Sequence, residues 1–307
     1  MELIKLKNNN LTQLNIDLSK IVATIGEFDG VHLAHQKLIL KTISIAQERK
    51  LKSALITFDP HPDYVIKSRR YEGYLSKLEE KATILENYSI DYLIVISFTK
   101  ELMNSSKDEF FNNYLSKFNY LVVGYDFKFG YQGSGDAKYL SDKLGSNSLC
   151  IVDEVKYDGI HKISSNAIRT YLKEGRIEDA NKLLGYPYWF YGKVTKGKGI
   201  GTTLGFPTAN VVIDDEKFIP KCGVYRSFVI YNNLKYKGIL NIGYNPSINP
   251  LTKPRLEVHI LDFNENIYGR FIKIEIYHFI REEIKFSTKE ELIYQIKKDQ
   301  EDCMRNF

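Results

Sequence analysis

The stretch Thr24-Ile25-Gly26-Glu27-Phe28-Asp29-Gly30-Val31-His32-Leu33-Ala34-His35 runs a strand into two glycines and then into two histidines. The apolar run Ile21–Ile25 reads as a buried strand that stops at Gly26. Glycines let a backbone approach a polyphosphate closely, and a following helix start turns free N–H groups toward anionic oxygens. The spacing predicts that helix from about His35 to Lys50, with Leu38, Ile39, Ile43 and Ala46 on its buried side. His32 and His35, three apart, project to one side of the first turn, placed to hydrogen-bond phosphate oxygens as charge develops. Taken alone, an H-x-x-H pair also fits surface or capping chemistry; the H-E-x-x-H spacing of a zinc site is absent.

Outward from this stretch the same alternation repeats. Ala54–Phe58 stops at Asp59-Pro60-His61-Pro62, where two prolines end any ladder. A helical stretch over Lys77–Tyr88 precedes the strand Tyr92–Ile96, and another over Lys107–Lys117 precedes Tyr120–Val123, ending at Gly124. Continuous apolar strands between helices predict a parallel sheet covered on both faces. Such sheets bind ligands beyond their strands' carboxyl ends, where Gly26, Asp59 and Gly124 fall. A helical stretch over Ser165–Leu184 closes this half. From Trp189 the period changes to six short strands: Trp189–Val194, Thr208–Ile213, Gly223–Tyr231, Lys235–Asn241, Arg255–Phe263 and Phe271–Phe279. They predict a small antiparallel barrel, followed by a helix that Thr288 caps with Glu291 at the capping-box position. The divide falls near residue 185, giving domains 1–185 and 186–307.

The 307 residues are 43% hydrophobic and 26% charged, which excludes collagen, low-complexity disorder and a disulfide miniprotein. Cys150, Cys222 and Cys303 are far apart, fitting a reducing compartment and no zinc knuckle. The start Met1-Glu2-Leu3-Ile4-Lys5 lacks a signal peptide's apolar core, and no 18-residue apolar run occurs, so a cytoplasmic protein is expected. Of the net charge of +5, residues 186–307 supply +4, with 18 Lys/Arg against 14 Asp/Glu. These charges are scattered, which argues against nucleic acid and for small anionic ligands.

The order of motifs resembles the prokaryotic bifunctional riboflavin kinase/FMN adenylyltransferase family. Gly26-x-Phe28-Asp29-Gly30-Val31-His32-x-x-His35 is similar to the first motif of the H-x-G-H nucleotidyltransferases, Thr57–Pro62 to the family's flavin-side loop, and Val123–Gly130 to its V-G-x-D-F-x-F-G stretch. Ile163-Ser164-Ser165-Asn166-Ala167-Ile168-Arg169 matches its I-S-S-T-x-I-R motif. In the second half, Leu204-Gly205-Phe206-Pro207-Thr208-Ala209-Asn210 resembles the riboflavin kinase G-F-P-T-A-N motif, and Leu256–Asp262 continues the match. The resemblance implies a Rossmann-like nucleotidyltransferase domain followed by a six-stranded riboflavin kinase barrel. It implies ATP contacts in the first domain at Gly26, Phe28, Asp29, Gly30, His32, His35, Ser164, Ser165 and Arg169. Flavin contacts are implied at Phe58, Pro60, His61, Pro62, Asp126, Phe127 and Phe129, whose rings also fit an ordinary core.

In the barrel it implies ATP contacts at Gly197, Lys198, Gly201, Pro207, Thr208 and Asn210, with Mg²⁺ on Thr208 and Asn210. Glu257 is then the base for the riboflavin 5′-hydroxyl, whereas strand alternation alone makes Glu257 and His259 a polar pair on one side. The expected catalytic set is Glu257, His32, His35 and Arg169. ATP, riboflavin, FMN and FAD are the implied small molecules, with no nucleic-acid or membrane partner and at most weak self-association. Ala34, Asn166 and Thr202 depart from the family's usual glycine, threonine and arginine. They leave open a chain with one of the two activities, or a flavin-binding regulator.

Overall fold

The computed structural model describes residues 1–6, 9–11, 14–67, 71–197, 199–244 and 254–305. Two compact units divide it, Met1–Ser165 and Asn166–Phe307. The second therefore begins well before the change of sequence period near residue 185.

In the first unit six parallel strands form the sheet: β1 (Glu2–Lys5), β2 (Ile21–Ile25), β3 (Lys52–Asp59), β4 (Tyr92–Ser97), β5 (Tyr120–Gly124) and a sixth over Leu149–Val152. Between β5 and that strand lies a small ribbon of β6 (Lys128–Phe129) and β7 (Gly135–Asp136), so the sixth sheet strand is β8. The order β1-β4-β3-β2-β5-β8 runs one way from β2 to β3 and the other way from β2 to β5. A crevice opens beyond the strand ends at such a reversal. The helices are α1 (Leu33–Arg49), α2 (Pro62–Lys67), α3 (Leu78–Leu85), α4 (Lys100–Met103), α5 (Lys107–Phe110) and α6 (Ala137–Leu144). A π-helical turn over Phe111–Leu115 continues α5. Side-chain alternation sends Ala23, Ile25, Ile56, Ile94 and Leu121 into one core, while Val22 and Val122 meet Ile45 and Ala46 of α1 on the opposite face. Both faces are covered, as the continuous apolar strands predict. A second ribbon, β9 (Lys156–Tyr157) with β10 (His161–Lys162), follows the sheet.

The second unit opens on α7 (Ser165–Glu174), whose first residue closes the first unit, and α8 (Ile177–Leu184). The single helical stretch expected over Ser165–Leu184 is thus two helices, broken at Gly175, whose φ of 78° leaves the helical region. The Asn181 amide donates to the Ile276 carbonyl at 2.9 Å and accepts from Tyr188 N–H at 2.7 Å. β11 (Trp189–Thr195), β12 (Ala209–Ile213), β13 (Gly223–Tyr231), β14 (Leu234–Gly243), β15 (Arg255–Ile260) and β16 (Phe271–Arg281) close into an antiparallel barrel in the order β11-β12-β15-β14-β13-β16. A short α9 (Ile200–Thr203) sits between β11 and β12. The last helix, α10 (Lys289–Arg305), is capped by Thr288, whose hydroxyl accepts from Glu291 N–H at 3.2 Å. Arg281 of β16 forks onto Asp299 of α10 at 2.9 and 2.7 Å and anchors the helix there.

Two candidate active sites

The turn after β2 is built around a bend that buries its acid. Phe28, Gly30 and Val31 all have positive φ. Asp29 Oδ1 accepts from Ser76 N–H at 3.0 Å, Ser76 Oγ accepts from Gly30 N–H at 2.8 Å, and Ser165 Oγ donates to the Asp29 carbonyl at 2.9 Å. Asp29 therefore holds the turn together. The Phe28 ring points inward, 1% exposed, with its centroid 5.0 Å from that of His35.

His32 caps α1: its Nδ1 accepts from His35 N–H at 3.4 Å, which leaves the proton on Nε2. The two imidazoles stack with centroids 3.6 Å apart and 14° between planes. Burial pushes His32 down to about 4, and burial together with His32 and Lys81 holds His35 well below its usual range. Both rings are neutral donors at pH 7. His35 Nδ1 is buried without a hydrogen-bond partner.

Beside this pair lies a cleft of about 540 Å³ lined by Gly26, Glu27, His35, Phe58, Pro62, Asp126, Phe127 and Phe129. Phe127 stacks on Phe129 at 5.5 Å, and Phe58 meets Phe98 edge-on at 5.6 Å. These rings give the cleft an apolar wall, and Glu27 and Asp126 give it a polar edge. Asp126 accepts from Lys162 at 2.8 Å. Phe129 also packs into the core with Phe110, and so serves as floor more than wall. His61 does not line the cleft. Its Nδ1 accepts from Asp63 N–H at 3.1 Å, and Nε2 meets Glu27 at 3.0 Å, so it orients that carboxylate. Pro60 likewise lies outside the lining. Ser164 is half-buried just before α7. Arg169 belongs to the second unit, with its guanidinium 5.8 Å from the Phe218 ring.

Motif reading missed Lys81, which donates to the Glu27 carbonyl at 2.6 Å and to Thr57 Oγ1 at 2.9 Å. The signal was present: Leu78, Lys81 and Leu85 share the buried stripe of α3, where a lysine is out of place.

In the barrel, register sets Asn210, Glu257 and Asn241 in one row across β12, β15 and β14. Leu256 and Val258 face the core, so Glu257 and His259 face outward together. They do not face open solvent. α10 and the segment after α9 cover them, leaving a cavity of about 320 Å³ lined by Phe206, Thr208, Asn241, Glu257, Ile284 and Leu292 among others. A second cleft of about 370 Å³ is lined by Pro207, Thr208, Ala209, Phe263, Asn264 and Tyr268. Thr208 lines both. His259 is tethered at both nitrogens, at 2.7 Å to the Pro207 carbonyl and 3.0 Å to the Gln300 amide.

The glycine-rich loop packs directly over this row: a Cβ at Gly197 would collide with the Asn210 amide, and one at Gly201 with the Phe206 carbonyl. Lys198 lies outside the described residues. Two neutral oxygens beneath a glycine cradle suit Mg²⁺, which keeps its waters and is held largely through phosphates. No cluster of three or more His, Cys, Asp or Glu side chains poised for a metal occurs among the described residues.

Comparison with known proteins matches both halves of the chain. An FAD synthetase family model matches residues 14–167, and a riboflavin kinase model matches residues 184–307. The bifunctional riboflavin kinase/FMN adenylyltransferase of Bacillus subtilis is 39% identical over 294 residues, covering 94% of this chain and 93% of that protein. The Escherichia coli K12 protein of the same name is 32% identical, covering 91% and 90%. A solved structure described as a macrolide-efflux protein from Streptococcus pneumoniae shares the fold over all of both chains, at 29% identity and a TM-score of 0.90. No helix among the described residues is long and apolar enough to cross a membrane. With a parallel-sheet unit, a closed barrel, and both halves matched over nearly their full length, the chain belongs to the bifunctional riboflavin kinase/FMN adenylyltransferase family.

Proposed function

We propose a division of labour in which the barrel site phosphorylates riboflavin and the parallel-sheet site adenylylates the FMN that results. Residues 186–307 carry the first reaction and residues 1–185 carry the second. In the barrel, Glu257 takes the proton of the riboflavin 5′-hydroxyl, whose oxygen attacks the γ-phosphorus of ATP as ADP leaves. The cavity under α10 is the acceptor pocket, and the cleft on the other side of Thr208 takes the nucleotide. Gly197, Gly201 and Pro207 border its phosphates, and the motif assigns Lys198 to them as well. Thr208 and Asn210 would hold Mg²⁺, which when bound neutralises charge on the transferring phosphate.

In the first unit a phosphate oxygen of FMN attacks the α-phosphorus of ATP, and pyrophosphate leaves. His32 and His35 donate hydrogen bonds as charge builds on the phosphate oxygens, with no covalent intermediate. The motif assigns Ser164, Ser165 and Arg169 to the ATP phosphates, and Phe58, Pro62, Phe127 and Phe129 to the isoalloxazine. All of these are small soluble substrates, consistent with a cytoplasmic enzyme. The observation carrying this reading is the pairing of two cavities that share Thr208 in the barrel, one of which contains Glu257, with a separate cleft beside His35 in the first unit. Incubating the protein with riboflavin, ATP and Mg²⁺ and resolving the flavins by chromatography tests it. FMN without FAD rejects the adenylyl-transfer half, and unchanged riboflavin rejects both.

A further inference from the structure

Lys81 is a cation placed where a cation is costly. It is 4% exposed, and its ammonium donates to the Glu27 carbonyl at 2.6 Å and to Thr57 Oγ1 at 2.9 Å. Thr57 donates to the same carbonyl at 3.0 Å. The turn after β2, the end of β3 and helix α3 therefore meet at one oxygen. That oxygen belongs to the bend in which Phe28 takes a φ of 48° and from which Gly26, Glu27 and His35 reach the cleft. Thr57 alone satisfies the carbonyl, so the hydrogen bond does not explain the charge. An uncharged side chain would fill the space with less desolvation.

We propose that Lys81 is a positioning residue of the adenylyl-transfer site: its ammonium fixes the histidine-bearing turn and supplies, while protonated, the positive field in which the transferring phosphate's charge develops. This rests on the adenylyl-transfer reading above. A fixed cation near the neutral His35 stabilises developing negative charge without having to move, because the surrounding protein has already oriented it. It also reinforces the neutrality that burial imposes on His35, since the charge on Lys81 disfavours a proton there. The groups facing Lys81 are Glu27 and Asp29 from the turn, Asp59 from the end of β3, and His35 from α1. Burial lowers Lys81 to about 8, and the three carboxylates oppose the fall. Its proton is thus lost within a working pH range.

The test is the pH profile of FAD formation from supplied FMN and ATP. In the wild type, kcat declines as pH rises through about 8, as the ammonium is lost. Lys81→Met lowers kcat near neutral pH about tenfold or more, leaves KM for FMN within about twofold, and removes the alkaline decline. A residue serving only the fold would lower the melting temperature and leave the profile's shape unchanged. Should Lys81→Met fail to fold, Thr57→Val removes one acceptor of the ammonium and shifts the alkaline limb to lower pH. Wild-type protein that forms FAD with no decline near pH 8 overturns the proposal alone, as does a Lys81→Met variant with the wild-type profile or an unmoved limb in Thr57→Val. Wild-type protein that forms no FAD at any pH overturns the adenylyl-transfer reading itself.

Discussion

Both histidines at the phosphate end of the first site are neutral at pH 7, and that has a thermodynamic cost on acidification. Folded His32 titrates near 4 and the unfolded chain near 6.5, so the unfolded state binds more protons between these values. Stability therefore falls as pH drops through that window, by about 3 kcal/mol between pH 7 and 4 for this one side chain. Urea unfolding of the wild type and of His32→Gln across that range measures it, and the variant's dependence is shallower. In the assay His32→Ala loses FAD formation by about a hundredfold or more and keeps FMN formation. The histidine pair was legible in the sequence because its spacing carries a direction around a helix start. Lys81 was legible only in part: a lysine on the buried stripe of α3 is a local signal, but its partner is a carbonyl 54 positions away, and no local pattern encodes such a meeting. Phe28 illustrates the converse: its place in the motif is legible, whereas its positive φ and its buried ring are features only the fold displays.

At the scale of elements, the acceptor cavity exists because α10 is held over the outer face of β14 and β15. The Arg281–Asp299 fork, joined by Gln295 at 2.8 Å, is the anchor. Asp299→Ala leaves Arg281 without its counter-charge in a nearly closed site and destabilises by about 3 kcal/mol. Thermal unfolding reads that loss, and the KM for riboflavin rises as the cover loosens. Gly201→Val drives a side chain into the Phe206 carbonyl. FMN formation falls at least about tenfold, while FAD formation from supplied FMN is unchanged. The barrel strands were readable from turn residues and alternation. The edge strands β1 and β8 went unread: four residues each, with half-exposed faces, give too few positions for a period to register. The glycine loop read only as a loop, because what its glycines avoid is a side chain on another strand.

For the whole molecule, separate sites predict separable losses. Glu257→Gln reduces FMN formation by about a hundredfold or more and spares FAD formation from supplied FMN, the reverse of His32→Ala. Loss of both activities in either folded variant contradicts independent sites. Two units were legible in the sequence because the period of hydrophobic residues switches from sheet-and-helix to short strands. The helices α7 and α8 read as the end of the first half because they are helical, yet they pack with the barrel. The Leu172 carbonyl accepts from Lys221 N–H at 3.0 Å, and Asn181 ties α8 to β16 and to Tyr188. The chain between the two matched regions is therefore no slack tether, and a protease acting on the native enzyme finds little to cut there. A kinase fragment begun at residue 186 would leave bare the surface of β16 that α8 now covers. Begun at residue 166, it carries its own covering.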